Sequence, residues 1–280
     1  MTVKIVTDSL SDITEDLARE LGLTVVPLYV RFGEDIYRDR VDITTEEFYR
    51  RLVTESTLPS TTQPTPNDFL EVYQKLAKET DEILVIVVSS KLSGTYQSAT
   101  QAKQMVSGKC RIEIIDSLSV AMGQGLIAIS SAEAVKKGAS LEKAADLARQ
   151  AVSRSHLIAY FDTLKYLAKG GRIGKASGLL GSMLSVKPIL TIKEGEMSPL
   201  TRVRSMSAGL DYMYGVIAGY GKVEALAVEH STTPDDADAL VERLGALFPR
   251  ERIRRSIISP VVGTYAGPKA LALTFLEAAR

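Results

Sequence analysis

The sequence predicts an α/β chain of two domains, a layered α/β/α unit on a parallel sheet over 1–155 and an α+β unit over 156–280. Three observations predict it. Through the first half, short apolar runs alternate with helix-period segments, the pattern of a parallel sheet covered by helices. After Ser155 the alternation loses its regularity and the chain enters a glycine-rich stretch from Lys169 to Gly181. The length, 280 residues, matches about two domains at roughly 150 residues each.

In chain order, Val3–Thr7, Thr24–Val30, Ile83–Val88 and Arg111–Ile115 read as strands of the first sheet. Thr44 and Glu47 have the spacing of a capping box opening a helix. Phe69, Val72, Tyr73 and Leu76 share one helical face, and Leu141, Ala144, Ala145 and Ala148 mark another. In the second half the strands are Leu157–Phe161, Val186–Lys193, Met197–Arg202, Val223–His230 and Ile253–Ser259. Ala237, Leu240, Val241 and Leu244 form an amphipathic helix, and Gly267-Pro268 is expected to open a terminal helix.

Composition removes several functions. Basic and acidic residues balance at 34 each, so the surplus of Lys and Arg that nucleic-acid binding needs is missing. A single cysteine, Cys110, excludes an internal disulfide framework and a multi-thiolate metal site, and points to a reducing cytoplasm. No secretory signal is read at the start, and no apolar run reaches the ~20 residues of a membrane helix, so no stable membrane insertion is expected. His156 and His230 lack metal-ligand spacing, and no metal is expected.

Ligands gather at the carboxyl ends of strands in open parallel sheets, and here those ends carry small hydroxyl residues. They are Thr7-Asp8-Ser9, the loop from Ser89 to Thr95, Asp116-Ser117, and separately Pro59 to Pro64 with Thr61 and Thr62. Ser93, Gly94 and Thr95 at a helix start either hold a carboxylate or phosphate on free N–H groups or merely cap that helix. Gly170 to Ala176 fails the spacing of a phosphate-binding P-loop. Gly123-Gln124-Gly125 lies beyond its strand and inside a helix, where it serves packing rather than a dinucleotide. No Gly-x-Ser-x-Gly elbow is present, and Asp8 and Asp116 stand next to serines where capping explains them; no catalytic residue is assigned. Arg202 and Arg204 alternate as on one exposed strand face.

These residues resemble the DegV family of bacterial fatty-acid-binding proteins, which includes the lipid-binding subunits of fatty acid kinase. The resemblance spans nearly the whole chain and is carried by Val6-Thr7-Asp8-Ser9, Thr61-Thr62-Gln63-Pro64, Ser90 to Tyr96, Asp116-Ser117, Leu164 to Leu167 with Gly170 to Ile173, Lys187 to Leu190, Gly263-Thr264 and Gly267-Pro268. It implies a DegV-like fold whose second domain holds a mixed sheet, with one long-chain fatty acid such as palmitate between the domains. It implies a carboxyl group held by Thr61 or Thr62 and Ser93, with the Gly94 backbone nearby and the acyl chain in an apolar tunnel. Candidates for the tunnel wall are Leu126, Ile127, Leu164, Leu167, Met183 and Leu184. It also implies a carrier that is not itself an enzyme and needs no cofactor, the fatty acid being phosphorylated by a separate ATP-dependent kinase. Arg172 and Arg202 match basic positions near the ligand head or the kinase surface. Tyr265 stands where the family often has histidine, and could donate a hydrogen bond there; Thr62 and Lys269 replace a frequent serine and glycine. The competing reading is a two-domain enzyme acting on a small carboxylated or phosphorylated metabolite in the interdomain cleft.

Overall fold

The structure is a computed structural model that describes residues 2–180 and 186–279. The first strand, β1 (Lys4–Asp8), leads through a short 3-10 turn into α1 (Glu15–Leu21) and β2 (Leu23–Val26). Pro27 then interrupts the run expected as one strand, because it cannot donate to a ladder. The chain resumes as β3 (Tyr29–Phe32) and β4 (Asp35–Arg38), followed by α2 (Thr45–Thr54), β5 (Ser60–Thr62), α3 (Pro66–Leu76), β6 (Glu82–Val87), α4 (Thr95–Met105), β7 (Arg111–Asp116), α5 (Met122–Lys136) and α6 (Leu141–Arg154). The second half runs β8 (Ser155–Tyr160), α7 (Lys165–Lys169), β9 (Lys187–Lys193), β10 (Glu196–Val203), α8 (Met206–Gly219), β11 (Val223–His230), α9 (Pro234–Leu244), β12 (Ile253–Ile257), α10 (Pro260–Ala266) and β13 (Leu271–Glu277).

Among the described residues the strands form three sheets. The four-stranded one has the order β2-β1-β6-β7 and is parallel throughout. Its strand order reverses between β1 and β6, so the loops after Asp8 and after Val87 diverge and leave a crevice at their carboxyl ends. The six-stranded sheet, β10-β9-β8-β13-β11-β12, is mixed, with β11 and β12 parallel and the other pairs antiparallel. A small antiparallel sheet, β4-β3-β5, places Thr61 and Thr62 beside Val30 and Tyr29.

Local sequence explains most element ends. Thr44 accepts from the Glu47 amide, but Glu47 pairs with Arg50 rather than returning to the cap, so that box is half made. The complete capping box is at Thr65 and Asp68 on α3. Asp8 and Asp116 do cap: Asp8 accepts from the Leu10 and Val88 amides, and Asp116 from those of Ser90 and Leu118. The expected terminal helix is a strand. Gly267-Pro268 follows α10, and Leu271–Glu277 pairs antiparallel with both β8 and β11 in the middle of the mixed sheet. Its apolar run is buried on both faces, where periodicity no longer separates strand from helix. Met183 and Leu184 lie outside the described residues. Among the described residues no helix is long and apolar enough to cross a membrane.

Candidate functional site

A cavity forms between the carboxyl-end loops of the parallel sheet and one face of the mixed sheet. Its volume is about 190 Å³, more than ten times the roughly 10–15 Å³ one water needs on the same measure. Period-2 alternation in β8 and β13 creates the room. Ile158, Tyr160, Leu273 and Phe275 point to the far face, where they pack with residues of α8 and α9. Toward the cavity the same strands and the residues before β13 present Ala159, Ala270 and Ala272 beside Leu157. Alanines there leave unfilled the volume that larger side chains take on the other face.

The polar lining is confined to Thr61, Thr62, Gln63, Ser93, Arg172 and Tyr265, and contacts tie Thr61, Tyr265 and Arg172 together. Thr61 Oγ1 and Tyr265 Oη share a hydrogen bond of 2.5 Å. The Arg172 guanidinium lies 5.2 Å from the centre of the Tyr265 ring, while its Nε and Nη1 donate to the carbonyls of Leu92 and Gly170. Arg172 thereby joins the Ser93 loop to α10. Gly170 is needed for this arrangement, since a Cβ there would come within 2.4 Å of the Tyr265 ring. The glycine-rich stretch thus admits an aromatic ring of the same chain.

Helix α4 opens at Thr95 with Gly94 as its N-cap, which offers no side chain to the first-turn amides. Ser93 Oγ accepts weakly from the Thr95 amide and shares a 2.9 Å hydrogen bond with the buried Thr95 hydroxyl. Gly94 abuts the side chain of Gln63, whose Nε2 would lie 2.4 Å from a Cβ at that position. Thr61, Thr62, Ser93, Arg172 and Tyr265 therefore line one cavity, with Gly94 and Thr95 directly behind Ser93. Arg202 does not join them; it is exposed on β10 opposite Pro188. Of the apolar candidates, Leu167 lines the cavity, Leu164 packs in the cluster beside it, and Leu126 and Ile127 lie in the core between α5 and the parallel sheet.

Gln63 was legible only as a motif letter, and its place in the lining follows from β5 pairing with β3. A second feature carries no sequence signal beyond the strand-end position of Asp8. Adjacent to the wall residues Leu10, Ile258 and Val261, the carboxyls of Asp8, Asp12, Asp39 and Glu229 are buried. Burial pushes Asp8 and Asp12 up to about 6 and Asp39 up to about 7, and holds Glu229 well above the usual carboxylate range. Arg40 is the cation that offsets Asp12 and Asp39.

Fold and site define an α/β protein with a largely apolar cavity between its parallel and mixed sheets, whose lining includes four hydroxyl groups. The family model described as "Uncharacterised protein, DegV family" matches residues 2–278, and the chain belongs to the DegV family. A DegV domain-containing protein of Caldanaerobacter subterraneus subsp. tengcongensis is 38% identical over 279 residues, covering 98% of this chain and 99% of that one. Among solved structures, a DegV family protein from Thermus thermophilus described for its fatty acid binding has a TM-score of 0.91 at 31% identity, covering 99% of this chain and 100% of that one. DegV from Bacillus subtilis, described as a fatty acid binding protein, has a TM-score of 0.89 at 28% identity over the same shares.

Proposed function

We propose that this chain binds one long-chain fatty acid and presents its carboxyl group to a separate ATP-dependent kinase for conversion to an acyl phosphate, performing no chemistry itself. The observation that carries the reading is the make-up of the cavity: its polar lining is limited to four hydroxyls, Gln63 and Arg172, with Tyr265 in contact with both Thr61 and Arg172, and apolar side chains make up the remaining wall. That is the chemistry of a fatty acid. A chain of about 14 methylenes gains on the order of 11 kcal/mol from burial at about 0.8 kcal/mol each, before ordering costs. The tail then supplies affinity, and the head group has only to be oriented.

In this reading the carboxylate accepts from the hydroxyls of Thr61, Tyr265 and Ser93, with Thr62 and the amides at Gly94 and Thr95 alongside. Neutral donors leave an oxygen nucleophilic enough to attack the γ-phosphorus of ATP, which a tight bidentate arginine pair would suppress. Arg172 sits over Tyr265 with two of its donors spent on carbonyls, so it positions the tyrosine. Arg202, outside the cavity, is assigned to the surface that meets the kinase. The fatty acid bound by the Thermus thermophilus and Bacillus subtilis proteins supports this reading.

The test is mass spectrometry of gently purified protein, native and after solvent extraction. A stoichiometric fatty acid of one or two lengths is the expected result. Protein that is empty and takes up neither added palmitate nor oleate would overturn the proposal.

A further inference from the structure

Gln63 is exposed and yet lines the cavity, so its side chain stands where the cavity meets solvent. It follows Thr62 at the end of β5, and strand alternation turns it to the same side as Thr61. Its carboxamide lies against Gly94: a Cβ built there would fall within 2.7 Å of Nε2, Oε1 and Cδ alike. Gly94 has an ordinary φ of −74°, so a methyl at that position would displace the carboxamide without straining the backbone. Gln63 thus leads from the Thr61–Tyr265 pair to the loop that carries Ser93, and its carboxamide has no hydrogen bond among the described residues.

A carboxylate has two oxygens with about four lone-pair sites. In the structure Thr61 and Tyr265 use one of their two hydroxyl protons on each other, and Ser93 and Thr95 do the same, which leaves one outward proton from each pair while those bonds stand. Resting on the fatty acid reading above, we infer that Gln63 is the residue that selects a carboxylate over a neutral head group. Its Nε2 donates to the ligand oxygen that the hydroxyl pairs leave short of donors, and Gly94 is the seat that holds the carboxamide in place. Both N–H donors of that nitrogen are free to do so. Hydrogen bonds to an ionised acceptor are roughly twice as strong as those between neutral groups, so one such donor favours the acid over an alcohol of the same length. A carboxamide is also uncharged, and it orients the carboxylate without the tight ion pair that would lower its reactivity toward ATP.

Palmitate and hexadecanol carry the same chain on a charged and a neutral head, so the ratio of their affinities for the full chain reads the head group alone. Gln63→Ala is expected to weaken palmitate about tenfold, the scale of one hydrogen bond to a charged acceptor, and hexadecanol less than about threefold. Gln63→Glu, whose carboxylate repels palmitate and accepts from the alcohol, should weaken palmitate further and leave hexadecanol at or above its wild-type affinity. Gly94→Ala should match Gln63→Ala, and adding it to Gln63→Ala should cost nothing more, because the methyl then has no carboxamide to displace. Equal losses for the two ligands would reduce Gln63 to packing against Gly94, and full palmitate affinity in Gln63→Ala would put it out of reach of the head group; either result overturns the inference while fatty acid binding stands. Wild-type protein that takes up neither ligand overturns the fatty acid reading and this inference with it.

Discussion

Thr61 and Tyr265, 204 positions apart in the chain, share a hydrogen bond of 2.5 Å that joins β5 of the small sheet to α10 beside the mixed sheet. In the proposed function each hydroxyl turns part of its hydrogen bonding to the ligand carboxylate. Hydrogen bonds to a charged acceptor contribute about 1.5–3 kcal/mol. Tyr265→Phe is therefore expected to weaken fatty acid binding by about tenfold to a hundredfold while leaving the fold intact, as measured by displacement of a fluorescent fatty acid. Thr61→Val should act alike, and the double variant should lose less than the sum, because the two donors share one acceptor and one another.

Ala272 faces the cavity from β13. Ala272→Phe is expected to occupy the room of the acyl chain, abolishing uptake of palmitate. A thermal midpoint close to wild type would separate a filled cavity from an unfolded protein.

Gly170 lies under the Tyr265 ring with an ordinary helical φ, so its substitution tests contact rather than backbone strain. Gly170→Ala is expected to push the ring off Thr61 and to lower affinity about as much as Tyr265→Phe does. Adding Gly170→Ala to Tyr265→Phe should then cost little further, and the double-mutant cycle measures that coupling.

Asp8, Asp12 and Asp39 have folded-state proton affinities raised by burial to about 6, 6 and 7. The unfolded chain releases these protons near pH 4 while the folded chain keeps them. Their contribution to stability is thus fully present below pH 4, falls as pH rises through 6 to 7, and is level above that. A hundredfold increase in proton affinity at Asp8 or Asp12 corresponds to about 3 kcal/mol and a roughly thousandfold increase at Asp39 to about 4 kcal/mol, upper limits in each case. Denaturation at pH 5 and pH 8 should show the protein more stable at the lower value, and Asp39→Asn should shrink the difference.

Periodicity and local chemistry made much of this molecule legible. The parallel strands, the face of α3 from Phe69 to Leu76, the helix through Leu240 and Leu244, and the capping by Asp8 and Asp116 follow from residues within one or two turns of each other. The hydroxyl loops also announced themselves, because Ser93 and Thr61 belong to motifs that are contiguous in sequence. What tertiary structure alone decided depends on partners far apart in the chain. Leu271–Glu277 is a strand because β8 and β11 bury it on both sides, and a short apolar run carries no period when both faces are covered. Ala159 and Ala272 make a cavity only because strand pairing turns them to one side. Nothing local in the sequence marks Asp12 and Glu229 as buried; a carboxyl's charge is set by its surroundings, and those surroundings come from distant segments.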